Sequence, residues 1–168
     1  MNRWGPDTFG DPCRACGFSW SQPQDAGHAV VMGAPAAIGA LVAGRDGGSR
    51  APGLDWTVAG YVCHVGDSIR VWAERLANVA LGDGEMVGEY DQDLLARARH
   101  YENVGVQGAV WSLRRAVLDW SAAVELASTD HFTMAHPELG EMSLHDVVLI
   151  RAHDVTHHTR DIERSLAG

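Results

Sequence analysis

Ten residues near the C-terminal end, His153-Asp154-Val155-Thr156-His157-His158-Thr159-Arg160-Asp161-Ile162, hold three of the chain's nine histidines and two carboxylates. Their spacing suits metal chemistry. Side chains four apart share one face of a helix, so an imidazole paired with a carboxylate or a second imidazole can grip one divalent ion. Two such pairs overlap here: His153 with His157, and Asp154 with His158. Either pair needs a third ligand from elsewhere, and His64 is the candidate. A second group that bears chemistry is Cys13-Arg14-Ala15-Cys16-Gly17, half of a zinc-knuckle pattern. Structural zinc wants four ligands, and no second Cys-x-x-Cys follows. His28 supplies a third at Cys-x2-Cys-x11-His spacing and leaves the fourth missing. The pair therefore reads as a second metal or redox site, or as reduced thiols in a tight turn.

The elements that must position these residues are helices. Val58, Val62, Val65, Ile69, Trp72, Leu76 and Val79 alternate spacings of four and three, which predicts a bundle helix over about 55–80, closing at Gly82-Asp83-Gly84. At 100° per residue, His64 lies roughly 110° from the centre of that seam, beside Tyr61 and Ser68. That is the edge of a buried face, where a ligand could look into a cavity. Other helices are predicted over about 25–42 (apolar at Val30, Val31, Ala37, Ile38 and Leu41), from near Asp91, and over about 107–127. Between them, 44–53 and 82–88 read as loops, and 129–141 as a loop with a few extended residues around Phe132-Thr133-Met134. Ser143 and Asp146 resemble a capping box that opens the last helix, which runs to about Ser165. With Ile162 at zero, His158 falls near about −40° and Asp154 near about −80°, against the apolar stripe. His157 and His153 fall near about −140° and 180°, in a sector of solvated character with Arg160, Arg164 and Asp146. Helical phase thus favours the pair Asp154 and His158, although the pair His153 and His157 has the better ligand chemistry.

The expected fold class is an all-α, up-down four-helix bundle over residues 24–168, preceded by an irregular arm over 1–23. At 168 residues one domain can bury roughly 70% of its unfolded surface. A net charge of −9 argues against nucleic acid as a partner. No apolar run approaches the roughly 20 residues of a membrane span, and three cysteines do not make a secreted disulfide framework. A cytoplasmic location is expected.

The sequence resembles the DinB/YfiT-like superfamily of metal-binding four-helix bundles, particularly the branch with mycothiol-dependent maleylpyruvate isomerase and related thiol transferases. The resemblance covers roughly 56–162. It rests on Val62-Cys63-His64-Val65 and on Asp154, His158 and Asp161-Ile162, at the places where the isomerases carry a Glu, a metal His and an Asp-Leu pair. Asp154 is one methylene shorter than that Glu, His153 stands where the family has Arg, and the Cys-x-x-Cys arm lies outside the family pattern. The resemblance implies His64, Asp154 and His158 as ligands of a divalent metal, Zn2+ foremost, with Ni2+, Fe2+ or Mn2+ also admitted by these donors. It further implies a low-molecular-weight thiol such as mycothiol, activated for S-transfer to, or isomerisation of, a small electrophile. Arg151, beside the apolar stripe, is a candidate for binding a substrate carboxylate. Asp67, one turn after His64, is a candidate to orient that imidazole or, equally, to form a surface ion pair with Arg70, and Asp67 or His157 is a candidate to carry protons. Two further readings stay open: metal-hydroxide hydrolysis or lyase chemistry without thiol, and a non-catalytic metal-binding stress protein, dimeric through its Cys13/Cys16 arm.

Overall fold

The computed structural model describes residues 5–82, 84, 86–129 and 131–167. Met1 to Trp4 of the arm, Asp83 of the predicted helix-closing turn, Glu85 of the following loop and Asp130 lie outside them. The chain forms α1 (Pro6–Phe9), α2 (Gln24–Leu41), α3 (Val58–Ala80), α4 (Gln92–Ala98), a single 3-10 turn (Tyr101–Asn103), α5 (Val106–Ala127), β1 (Thr133–His136), β2 (Gly140–Ser143) and α6 (Leu144–Ala167). No helix among the described residues is long and apolar enough to cross a membrane.

The four long helices make the bundle. The predicted seam of α3 is buried from Val58 to Leu76, and Val110, Leu113, Val117, Trp120 and Val124 of α5 face it. Contact is most extensive between α3 and α5, and Gly66 of α3 faces the Leu113 backbone, where a Cβ would stand 3.5 Å from the Leu113 Cα in ordinary van der Waals contact. On α2 the core face is Gly27, Val31, Ala34, Pro35 and Ile38, while Ala37, expected inside, is exposed. Around the ring the order is α2, α5, α3, α6, so α2 and α3 sit across one diagonal and α5 and α6 across the other, while α3 and α5 are neighbours. The long connections 42–57 and 128–143 make those diagonal crossings.

Two segments carry more structure than their sequence suggested. Residues 133–143 form an antiparallel hairpin, with Met134 opposite Met142 and both buried. Its turn is closed by Gly140 at φ 81° and by His136, whose Nδ1 accepts the backbone N–H groups of Glu138 and Leu139. The described part of the arm is an ordered cap. Asp11 accepts from the Trp20 backbone N–H at 3.0 Å and from the Ser21 hydroxyl at 2.9 Å, and the Trp20 indole donates to the Gly10 carbonyl.

Helix α6 begins where predicted. The Asp146 backbone N–H donates to the Ser143 hydroxyl at 3.2 Å, and the Ser143 N–H donates back to the Asp146 carboxylate at 2.9 Å. Asp thus completes the reciprocal box usually closed by Glu. Ser143→Ala and Asp146→Ala should each cost about 1 kcal/mol and lower the thermal midpoint by about 2–4 °C. The double variant should lose less than the sum of the two, as read by thermal unfolding followed by circular dichroism.

Candidate metal centre

Helix α3 brings His64 to the bundle interior, and α6 meets it with Asp154 and His158. One ligand atom from each of the three lies within 4.8 Å of the others. His158 Nε2 and Asp154 Oδ1 are 3.5 Å apart, close to the edge of a tetrahedron built on bonds of roughly 2.1 Å. The His64 and His158 rings meet edge to face at 4.7 Å, with Trp56 against His64 at 4.7 Å and Tyr61 against His158 at 5.3 Å. The donor set fits a divalent ion. The one-residue choice of register made from helical phase is the one that meets His64.

Each donor is held by a neighbour. Asp154 Oδ2 accepts from the Ser68 hydroxyl at 2.8 Å and from Arg151 Nη1 at 3.1 Å, which leaves Oδ1 to face the imidazoles. Arg151 also donates to Ser68 Oγ. His158 Nδ1 pairs with Asp161 Oδ2 at 3.1 Å, so Nε2 is the free nitrogen. Asp161 is buried too. The signal for this pairing was local: Asp161 lies three residues after His158 on one helix face.

Electrostatics follow from this packing. Burial lowers the His64 pKa to about 4 and keeps that imidazole neutral, as a ligand must be. Burial also opposes charge on His158, but the hydrogen bonds and charges of Asp154 and Asp161 outweigh it and raise its pKa to about 9. Burial works against the Asp154 carboxylate, yet Arg151 and His158 hold its pKa well below the usual range.

The remaining predicted residues fall elsewhere. Asp67 is buried, but its oxygens are engaged by the Tyr101 hydroxyl at 2.6 Å, by Arg70 at 2.8 Å and by Arg99. It ties α3 to the 3-10 turn, and its predicted role on the His64 imidazole has no bond to support it among the described residues. His157 stands with His153, Cys13 and Cys16 in a second cluster, away from the first. His153 is buried rather than solvated, because Phe9, Phe18 and Trp20 of the arm cover that face of α6. His28 is not a member of the cysteine cluster.

A cavity of 440 Å³ opens beside the first cluster, lined by His64, Ser68, Trp72, Arg75, Tyr90, His136, Arg151 and Asp154 among others. Sequence reading missed Arg75, Tyr90 and His136. The guanidinium groups of Arg75 and Arg151 both lie 4.7 Å from the Trp72 ring, and His136 stacks on that ring at 5.7 Å. Arg75 also sits 5.4 Å from the Tyr90 ring. Nothing in the periodicity of α3 marks these contacts, which the hairpin and the 86–91 segment complete.

Two outcomes are expected of metal binding. Asp161→Asn should weaken affinity at the first cluster about 10- to 100-fold by loosening His158, as read by competition with a chelator dye. Because His158 keeps its proton up to about 9 in the metal-free chain, binding must displace it. Affinity should therefore rise with pH, by roughly tenfold per unit between about pH 6 and 8.

No protein-family model matches the chain, and no curated protein does. Among solved structures, YfiT from Bacillus subtilis, described as a probable metal-dependent hydrolase with an unusual four-helix bundle topology, aligns with a TM-score of 0.72. The two are 19% identical, over 83% of each chain. The chain has the YfiT-type four-helix-bundle fold that its histidine motifs implied.

Proposed function

We propose that this chain is a metal-dependent enzyme acting on a small anionic molecule, with His64, Asp154 and His158 holding the ion. The observation that carries this reading is the donor set. Three protein ligands without sulfur are what catalytic sites use, leaving one position for water or substrate, whereas structural sites close with four. Zn2+ suits two imidazoles and a carboxylate, and Ni2+, Fe2+ and Mn2+ accept the same donors. When bound, the ion supplies Lewis-acid charge and lowers the pKa of a water or thiol at its open position.

The chain's own groups do the rest. Arg75 and Arg151 are buried cations in the cavity wall, each 4.7 Å from the Trp72 ring, and they attract a carboxylate or phosphate. Arg151 and Ser68 also fix Asp154, so the ligand carboxylate keeps one orientation. His136 is kept neutral by burial, next to Arg75. With Nδ1 accepting two backbone N–H groups, its hydrogen resides on Nε2. From there it can donate to a substrate oxygen that gains negative charge.

Water as nucleophile, giving hydrolysis, is the reading favoured by the description of YfiT. Mycothiol as nucleophile, giving S-transfer or isomerisation, is favoured by the resemblance of Val62-Cys63-His64-Val65 and of the 154–162 motif to the isomerase branch. A panel of small carboxylate-bearing esters, amides, lactones and unsaturated acids, offered with and without mycothiol, separates the two. Turnover is expected with Zn2+ and lost on chelation. Product without thiol assigns water; product only with thiol assigns the thiol. Arg75→Gln should raise KM about tenfold with kcat little changed, and His136→Gln should lower kcat about a hundredfold. A chain that keeps its metal yet turns over nothing on either panel is a binding protein, and the enzyme reading fails.

A further inference from the structure

Cys13 and Cys16 approach α6 on the face about 100° round from the cavity ligands' register. Each of Cys13, Cys16, His153 and His157 offers one atom, and these four atoms lie within 4.8 Å of one another. The tetrahedron of a zinc ion bound by two sulfurs at about 2.3 Å and two nitrogens at about 2.1 Å has edges of roughly 3.4–3.8 Å. Small movements of side chains close the one onto the other.

Three independent features are those of a metal knuckle. Both thiols are free. The loop is folded back on itself, with the Cys13 N–H donating to the Phe18 carbonyl and the Gly17 N–H to the Cys13 carbonyl, each at 2.8 Å. Gly17 makes that fold possible at φ 77°, where a side chain is disfavoured. Around the sulfurs, the backbone N–H groups of Cys16 and Ala15 are directed at Cys13, and that of Phe18 at Cys16.

The histidine side supplies the complementary observation. His153 Nε2 and His157 Nδ1 are buried and have no hydrogen-bond partner among the described residues. A buried imidazole nitrogen without a partner is costly, and two of them facing two thiols are explained together by an ion between them. Phe9 and Trp20 each approach the His153 ring at 4.6 Å and Phe18 at 5.5 Å, so the His153 side of the site is shielded from water, while Cys16 and His157 are half-buried.

We propose that Cys13, Cys16, His153 and His157 form a closed, four-coordinate zinc site that staples the N-terminal arm onto α6. Two thiolates and two imidazoles select zinc and leave no position for substrate, so the role is structural. The staple bears on the cavity side as well. Phe9 and Trp20 of the arm line a 300 Å³ pocket together with His153, His157, Asp154 and His158, so the arm forms one wall next to the first cluster.

Metal content and cobalt spectroscopy of the full chain test this. Wild type should carry about two ions, and the cobalt-substituted protein should show the thiolate-to-metal charge-transfer band with the intense ligand-field bands of a tetrahedral site. Cys13→Ser, and the half-buried His157→Ala as a second variant, should each lose one ion and that band while circular dichroism shows the bundle intact. His64→Ala should lose one ion and keep the band. Absence of the thiolate band in wild type overturns the proposal. So does its survival in the Cys13→Ser/Cys16→Ser double variant, or a Cys13–Cys16 disulfide in the protein purified under reducing conditions. Loss of metal in His64→Ala alone speaks to the catalytic centre, so the two readings fail separately.

Discussion

A carboxylate placed between α3 and α6 sets the terms for this molecule. The Asp154 side chain is 21% exposed, and removing that much of an ion from water costs several kcal/mol unless partners replace the lost solvent. Ser68 from α3 and Arg151 from its own helix take one oxygen. The other faces His158 at 3.5 Å. Arg151 is itself buried and leans on Trp72, whose ring also carries Arg75 and His136. One charge therefore recruits two bundle helices and the hairpin. Its removal would leave Arg151 buried without its anion, a larger loss than that of a surface pair.

The second constraint is the angular step of a helix. Residues 153 and 154 differ by about 100°, as do 157 and 158, so α6 presents two ligand pairs on two faces. One face looks across the bundle at His64. The other would meet water if nothing covered it, and the arm does, with Phe9, Phe18 and Trp20 packed on His153. The competition between registers in the sequence is thus no competition in space. Both pairs have partners: His64 of α3 for one, and Cys13 and Cys16 of the arm for the other.

What the sequence made legible was local. The α3 seam, the capping box at Ser143 and Asp146, and the phase of Asp154 and His158 all follow from helical periodicity, which needs no knowledge of distant residues. The burial of His153 depends on an arm some 140 residues away. Asp67 looked like a neighbour for His64, one turn on, but Tyr101 and Arg99 reach it first from the segment after α4. The hairpin hid in a short polar stretch around Pro137, where alternation over four residues is too brief to read. The diagonal placement of α2 against α3 and of α5 against α6 left no trace, since amphipathic stripes say which face is buried and not against which helix. Errors cluster wherever two segments far apart in sequence share one surface.

The two clusters also differ in charge. Two thiolates cancel a dication, so a Cys2His2 site is neutral and sits at little cost among aromatic rings. Two imidazoles and one carboxylate leave a dication with one positive charge, and Arg75 and Arg151 add two more in the same cavity wall. Glu89, Asp91 and Glu138 line that cavity too, but they are exposed and water screens them, whereas both arginines are buried and are screened far less. On a chain of net charge −9 the deep end of this cavity is thus locally cationic behind an acidic rim. With an ion held by His64, Asp154 and His158, a small anion would gain most deep in the cavity, so discrimination would fall there rather than at the mouth.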